Sequence, residues 1–281
     1  MSVEATVRRA AVRGSRAWHR YRRPAPMGPP EPPDCPPAWT IGAPDFIGVG
    51  AQKAGTSWWN ALLHQHPDVH RSGGQPKELH FFDDRWETPW TAADADRYAR
   101  YFPRPAGGAA GEWTPGYMID FWAPELIARA APEARILVLL RDPIDRFRSG
   151  LTHTDDATRT TLSHRDAAGA FQRGLYAQQL RRLFEAVPRE RVLLLQYEQC
   201  RADAPEELAR TFAFLGLREA TLDASAFSRE VNPTTGRKVE LAPGLRAALL
   251  DGYAIDLEQL RGLAPELDLG LWPSATEAGL A

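Results

Sequence analysis

Several absences narrow what this 281-residue chain can be. Cysteine is nearly missing. Cys35 lies in a proline-rich stretch and Cys200 at the end of an apolar run. Two such thiols make no disulfide framework, and no Cys/His cluster has metal-ligand spacing. A reducing, cytoplasmic setting without a structural metal is the expectation. No apolar run is long enough to cross a bilayer, so no transmembrane segment is expected. The first residues also lack the apolar centre of a signal peptide. Net charge is almost nil, −2 from 34 basic and 36 acidic residues. That balance gives no broad field for a polyanion, and nucleic acid is not an expected partner. A local basic cleft is compatible with it.

What is present is ordinary for a globular protein, 43% hydrophobic and 25% charged. Residues 1–23 are rich in alanine and arginine, and 24–37, PAPMGPPEPPDCPP, cannot form helix or sheet. Residues 1–38 therefore read as a flexible basic tail and linker, and 39–281 as one domain. The tail could lie on an anionic surface or contact a partner, but a frayed terminus is the plainer reading.

From Trp39 onward, strand-like and helix-like runs alternate. Strands are expected at Asp45–Val49, Ala110–Trp113, Arg135–Leu140 and Arg191–Gln196. Helices are expected at Thr56–His66, Ala92–Phe102, Pro124–Ala131, Ile144–His153, Tyr176–Val187 and Pro205–Leu215. Two more helical patterns follow, Pro243–Tyr253 and Asp256–Leu263. The continuous apolar run RILVLL is that of a buried parallel strand. Asp142-Pro143 reads as an N-cap followed by the first helical residue. Such alternation predicts an α/β fold with a central, mainly parallel sheet flanked by helices. Ligands in such sheets bind beyond the carboxyl ends of the strands.

Three clusters fall at those ends. The first is GAQKAGTS, Gly50–Ser57, between a strand and a helix. Gly50 and Gly55 have the separation of a nucleotide-triphosphate loop, but Thr56 stands where that loop has lysine, and Lys53 lies inside the turn. Backbone amides at a helix start, a lysine and two hydroxyls suit an anion. A tight turn with a solvated lysine has the same spacing. The second pairs Arg141, at the end of RILVLL, with Ser149 two helical turns later. A magnesium-binding loop protein would have aspartate at that strand end; a guanidinium there suits a phosphate instead. A weak surface pair with Asp142 or Asp145 is the alternative. The third is KELHFFD. An extended backbone puts Glu78 and His80 on one side. Partial burial by Phe81 and Phe82 would raise the Glu78 pKa and make it a better proton acceptor. Otherwise Lys77–Glu78 is a loop charge pair beside an aromatic anchor.

These segments, FIGVGAQKAGTSWWNALLHQHPDVH, KELHFFDD, GEWTPGYM and ILVLLRDPIDRFRSGLTH, resemble the sulfotransferases that use 3′-phosphoadenosine 5′-phosphosulfate. The likeness is to the branch with heparan sulfate and many bacterial enzymes, and runs from about Asp45 to Trp272. It implies a P-loop-like sulfotransferase fold and that nucleotide as sulfuryl donor, with no metal. Lys53 would then serve the 5′-phosphosulfate. Ala54, Gly55, Thr56 and Ser57 would bind the 5′-phosphate, and Arg141 and Ser149 the 3′-phosphate. Arg237 and Lys238, in the piece Thr235–Lys238, would close over the nucleotide. Glu78 would be the general base, with His80 orienting or assisting it. The acceptor would be a hydroxyl or amine of a sugar, glycan or small molecule.

One departure stands out. Relatives of the heparan type often carry lysine before Thr-Pro-x-Tyr, where this chain has Trp113. That argues against a polyanionic acceptor. Trp113 and Tyr117, with Trp58, Trp86, Trp90, Phe121 and Trp122, are candidates to line an acceptor pocket, or else they are core. Two other functions share the loop architecture. A nucleotide-dependent kinase would need a lysine after Gly55 and a magnesium-holding carboxylate, and neither is visible. A non-catalytic binder would have no use for Glu78, His80 and Lys53 together.

Overall fold

A computed structural model describes residues 29–154, 164–228, 231 and 239–280, apart from the side chains of 153 and 154. The expected tail up to residue 28 and the pair Arg237 and Lys238 lie outside the described residues. Contacts gather Pro32–Ala281 into one compact unit.

Five strands form its sheet: β1 (Phe46–Gly50), β2 (Val69–His70), β3 (Ala109–Trp113), β4 (Arg135–Leu140) and β5 (Val192–Gln196). The order is β2-β3-β1-β4-β5, with every pair parallel. β1 is central, with Phe46 opposite Gly111 on one side and Arg135 on the other. All five β1 residues and all but Arg135 of β4 are buried, which is why these strands read as unbroken apolar runs. β2, two residues long, has no readable pattern.

The helices are α1 (Thr56–Leu63), α2 (Ala92–Ala99), α3 (Ala123–Ala130), α4 (Pro143–Thr154), α5 (His164–Gln172), α6 (Tyr176–Ala186), α7 (Tyr197–Ala202), α8 (Ala204–Phe214), α9 (Ala224–Ser228), α10 (Pro243–Leu263) and α11 (Pro273–Glu277). α5 lies where none of the expected helices falls. α1 ends at Leu63, three residues before its expected end at His66.

Two expected C-terminal helices are one. Asp256, the first residue expected in the second, lies inside α10. Its carboxylate instead accepts the amides of Ala177 and Gln178, at 3.0 and 3.2 Å, in the first turn of α6. The aspartate caps a helix, but a neighbouring one.

α4 starts as the sequence predicts. Asp142 Oδ1 accepts the Ile144 and Asp145 amides, both at 2.9 Å, and Oδ2 accepts the Ser274 amide at 2.8 Å. The Asp142 amide donates to Glu198 Oε1 on α7. Those bonds fix the corner that carries Arg141.

Candidate active site

The carboxyl ends of β1, β3 and β4 converge, and the turn Ala51–Gly55 joins β1 to α1. Gly55 caps α1 with φ 95, a left-handed value open to glycine. A Cβ there would stand 2.7 Å from the Tyr197 ring. Lys53 takes a positive φ as well, 70. A non-glycine residue held so is strained, and such strain gathers at functional sites.

The first-turn amides of α1 have no partner within the helix. Ala54 differs from its neighbours in the turn. It is wholly buried and its amide donates to Ala51 O at 3.1 Å.

Lys53 lies among charges. Burial lowers its pKa, and the Arg141 charge lowers it further, while the Glu78 charge works in the opposite direction. The structure thus brings Lys53, Arg141 and Glu78 into one electrostatic neighbourhood.

Arg141 is not consumed by a salt bridge. Its approach to Asp145 is loose, 3.7 Å, and its guanidinium lies 4.8 Å from the centre of the Tyr197 ring. Its buried Nε has no hydrogen-bond partner among the described residues. An orphaned guanidinium N–H beside a lysine and a helix start fits a phosphate. Ser149 sits half-buried on α4, and three residues on, Thr152 Oγ1 accepts the Val239 amide at 3.4 Å.

The KELHFFD segment forms a relay. His80 Nε2 is 3.3 Å from Glu78 Oε2, and Nδ1 is 2.7 Å from Asp83 Oδ2. Lys77 Nζ donates to Glu78 Oε1 at 2.8 Å and to Thr56 Oγ1 at 3.2 Å. Asp83 was absent from the candidates, although its spacing of three from His80 was visible.

These partners reverse the expected pKa of Glu78. Burial alone raises it, but the His80 hydrogen bond and the Lys77 charge outweigh burial and pull it down to about 2. His80 is pushed up to about 10, first by the bond to Asp83 and then by that to Glu78. The resting site therefore holds an imidazolium between two carboxylates.

His80 itself has φ 53, and the bonds that hold it come from behind. Glu112 on β3 is wholly buried. Its Oε2 accepts the Leu79 amide at 3.1 Å and the Thr114 hydroxyl at 2.5 Å. Its Oε1 accepts the Tyr98 and Tyr117 hydroxyls at 2.7 and 3.1 Å. Thr114 Oγ1 also accepts the Leu79 amide, and Tyr117 Oη the Phe81 amide at 2.8 Å. Each hydroxyl that takes a backbone proton thus passes its own to Glu112.

Burial bears on the aromatic candidates. Trp113 and Tyr117 are wholly buried, the environment of core residues. The Trp113 indole fills the space that a Cβ on Gly48 would need, and its Nε1–H donates to Gly50 O at 3.2 Å. Trp58 is buried too, edge-on to Trp59 and Tyr197. Trp90 and Trp122 are half-buried, and Trp122 Nε1 donates to Phe82 O. Trp86 and Phe121 are exposed, at 59% and 63%.

An all-parallel α/β sheet with a strand–turn–helix anion cradle and a carboxylate relay at the same strand ends defines a P-loop-like group-transfer domain. Within that class the chain belongs to the sulfotransferase family, whose domain model matches residues 43–232. Human heparan sulfate glucosamine 3-O-sulfotransferase 3B1 is 31% identical over 196 residues, covering 64% of this chain and 48% of that protein. The chain spans about half the length of the curated relatives it matches. The crystal structure of a sulfotransferase from Alicyclobacillus acidocaldarius is 28% identical, with a TM-score of 0.64, covering 83% of this chain and 99% of that one. Sulfotransferase STF9 from Mycobacterium avium, 14% identical with a TM-score of 0.51 over 78% of this chain and 76% of its own, shares the fold.

Proposed function

We propose that this chain transfers a sulfuryl group from 3′-phosphoadenosine 5′-phosphosulfate to a hydroxyl or amine of a sugar or small-molecule acceptor. The observation that carries the proposal is the position of Lys53, within electrostatic reach of both Arg141 and Glu78. An anion cradle and a proton acceptor thereby share one lysine.

The donor supplies a sulfuryl group on a phosphate leaving group. Gly55, Thr56 and Ser57 at the start of α1 hold the 5′-phosphate, and Lys53 neutralises the bridging oxygen as the sulfur–oxygen bond breaks. Arg141 and Ser149 take the 3′-phosphate. Arg237 and Lys238 close over the nucleotide; the return of the chain to α4 at Val239 supports that role. Glu78 takes the acceptor's proton as its oxygen or nitrogen bonds to sulfur, and 3′,5′-ADP departs. His80, clamped by Asp83, orients Glu78. The protein's own cations offset the developing charge, so the reading requires no divalent ion.

Trp113, standing where heparan-type relatives often carry lysine, favours an acceptor that is not a polyanion. Asp120 adds a carboxyl near Asp83 and Asp84, with Arg173 and His80 as the opposing charges. A cytoplasmic setting belongs to the same proposal, supported by two unpaired cysteines, Cys35 exposed and Cys200 buried.

Transfer of radiolabelled sulfate from the donor, screened over sugars, alcohols and amines, tests the reading. Glu78→Gln should cut turnover on the order of 10²–10⁴-fold without weakening nucleotide binding. Full activity in that variant would remove Glu78 from its role.

A further inference from the structure

Lys77 has two partners that belong to opposite halves of the reaction. Its side chain is 16% exposed, and its ammonium touches Thr56 Oγ1, at the start of α1, and the Glu78 carboxylate. Its backbone is fixed, because Lys77 O accepts the Trp113 amide at 3.0 Å. Only the flexible four-carbon stem is left to move.

Its electrostatic surroundings are crowded. Burial lowers the Lys77 pKa; Glu78 and Glu112 favour its charge, and Arg71 opposes it. Glu78 in turn faces His80 and Lys53 as well as Lys77. With Glu78 held as an ion by both His80 and Lys77, the resting carboxylate is a poor proton acceptor.

We infer that Lys77 exchanges partners when the donor binds, leaving Glu78 for the 5′-phosphate seated beside Thr56. The inference rests on the donor assignment above and adds a residue to it. A phosphate near Thr56 is a stronger partner for an ammonium already in contact with that hydroxyl than a carboxylate that keeps a second cation, His80. Release from Lys77 leaves Glu78 with one fewer cation and therefore more basic. Base strength is low while the site is empty and rises once the donor is in place.

Calorimetry with wild type, Lys77→Met and Lys77→Arg, titrated with 3′,5′-ADP and with adenosine 3′-phosphate, tests this. Replacing a largely buried ammonium by an apolar isostere is compatible with folding, and melting curves check it. Lys77→Met should weaken 3′,5′-ADP binding roughly 10- to 100-fold, the loss of one charge-assisted hydrogen bond. Binding of adenosine 3′-phosphate, which has no 5′-phosphate, should change less than about two-fold, and Lys77→Arg should restore most of the 3′,5′-ADP affinity. A general structural lesion would weaken both ligands alike. The exchange itself is read from a double-mutant cycle. Glu78→Gln should tighten 3′,5′-ADP binding more in the wild-type background than in Lys77→Met. Equal tightening in both backgrounds, or equal affinity of wild type and Lys77→Met for 3′,5′-ADP, overturns the inference. If wild type itself fails to bind 3′,5′-ADP, the donor assignment falls instead.

Discussion

Glu112 Oε2 accepts the Leu79 amide at 3.1 Å, so a wholly buried carboxylate on β3 holds the residue between Glu78 and His80. Burial raises the Glu112 pKa, while the Thr114, Tyr98, Leu79 and Tyr117 donors lower it. Glu112→Leu strands those donors in the core and should cost roughly 2–5 kcal/mol of stability. Glu112→Gln keeps an oxygen for Leu79 and should cost less. Chemical denaturation and kcat per folded molecule check both. Leucine should lower kcat on the order of 10²-fold by letting Glu78 drift, with glutamine recovering most of it. Unchanged kcat in folded Glu112→Leu would leave Glu112 with no part in placing the base.

Trp113 is the second case. Its indole fills the cleft over Gly48, so Trp113→Ala should destabilise the fold by about 3–5 kcal/mol through cavity formation. The acceptor KM, measured well below the melting temperature, should stay within about two-fold of wild type, since about 1.4 kcal/mol of lost contact would already be ten-fold. A raised KM with unchanged melting would return Trp113 to an acceptor-binding role.

Asp120 makes stability depend on pH. Its carboxyl is pushed up to about 7, by burial first and then by the Asp83 charge. The unfolded chain gives up this proton near the ordinary aspartate value of about 3.9. The stability that the site contributes is therefore full below that value and lost as pH rises through about 7. Asp120→Asn has no such proton. Between pH 5 and pH 8, wild type should lose more melting temperature than the variant, and equal losses by calorimetry would show that Asp120 titrates normally.

Much of this was legible in the residues, for physical reasons that differ by element. RILVLL is buried on both faces and flanked by a capping Asp142-Pro143, so β4 and the start of α4 stand out in the chain alone. The turn around Lys53 is legible because an anion cradle needs glycine, hydroxyls and a cation within a few residues. Glu112 is not legible. A single carboxylate in AAGEW reads as a surface position, and only the sheet order places β3 between β2 and β1. The same holds for Asp256, whose helix-capping role depends on α6 packing beside α10. The Glu78 pKa lies on the other side of expectation because the sequence shows which partners stand nearby but not that the Lys77 pair and the His80–Asp83 clamp outweigh burial by Phe81 and Phe82.

The most direct test is calorimetric titration of the full chain with 3′,5′-ADP in a chelating buffer, repeated with magnesium. One nucleotide should bind per chain with the same affinity in both, and Lys53→Ala and Arg141→Ala should each weaken it. No association, or association that appears only when magnesium is added, would contradict the assignment of this site to a doubly phosphorylated adenosine.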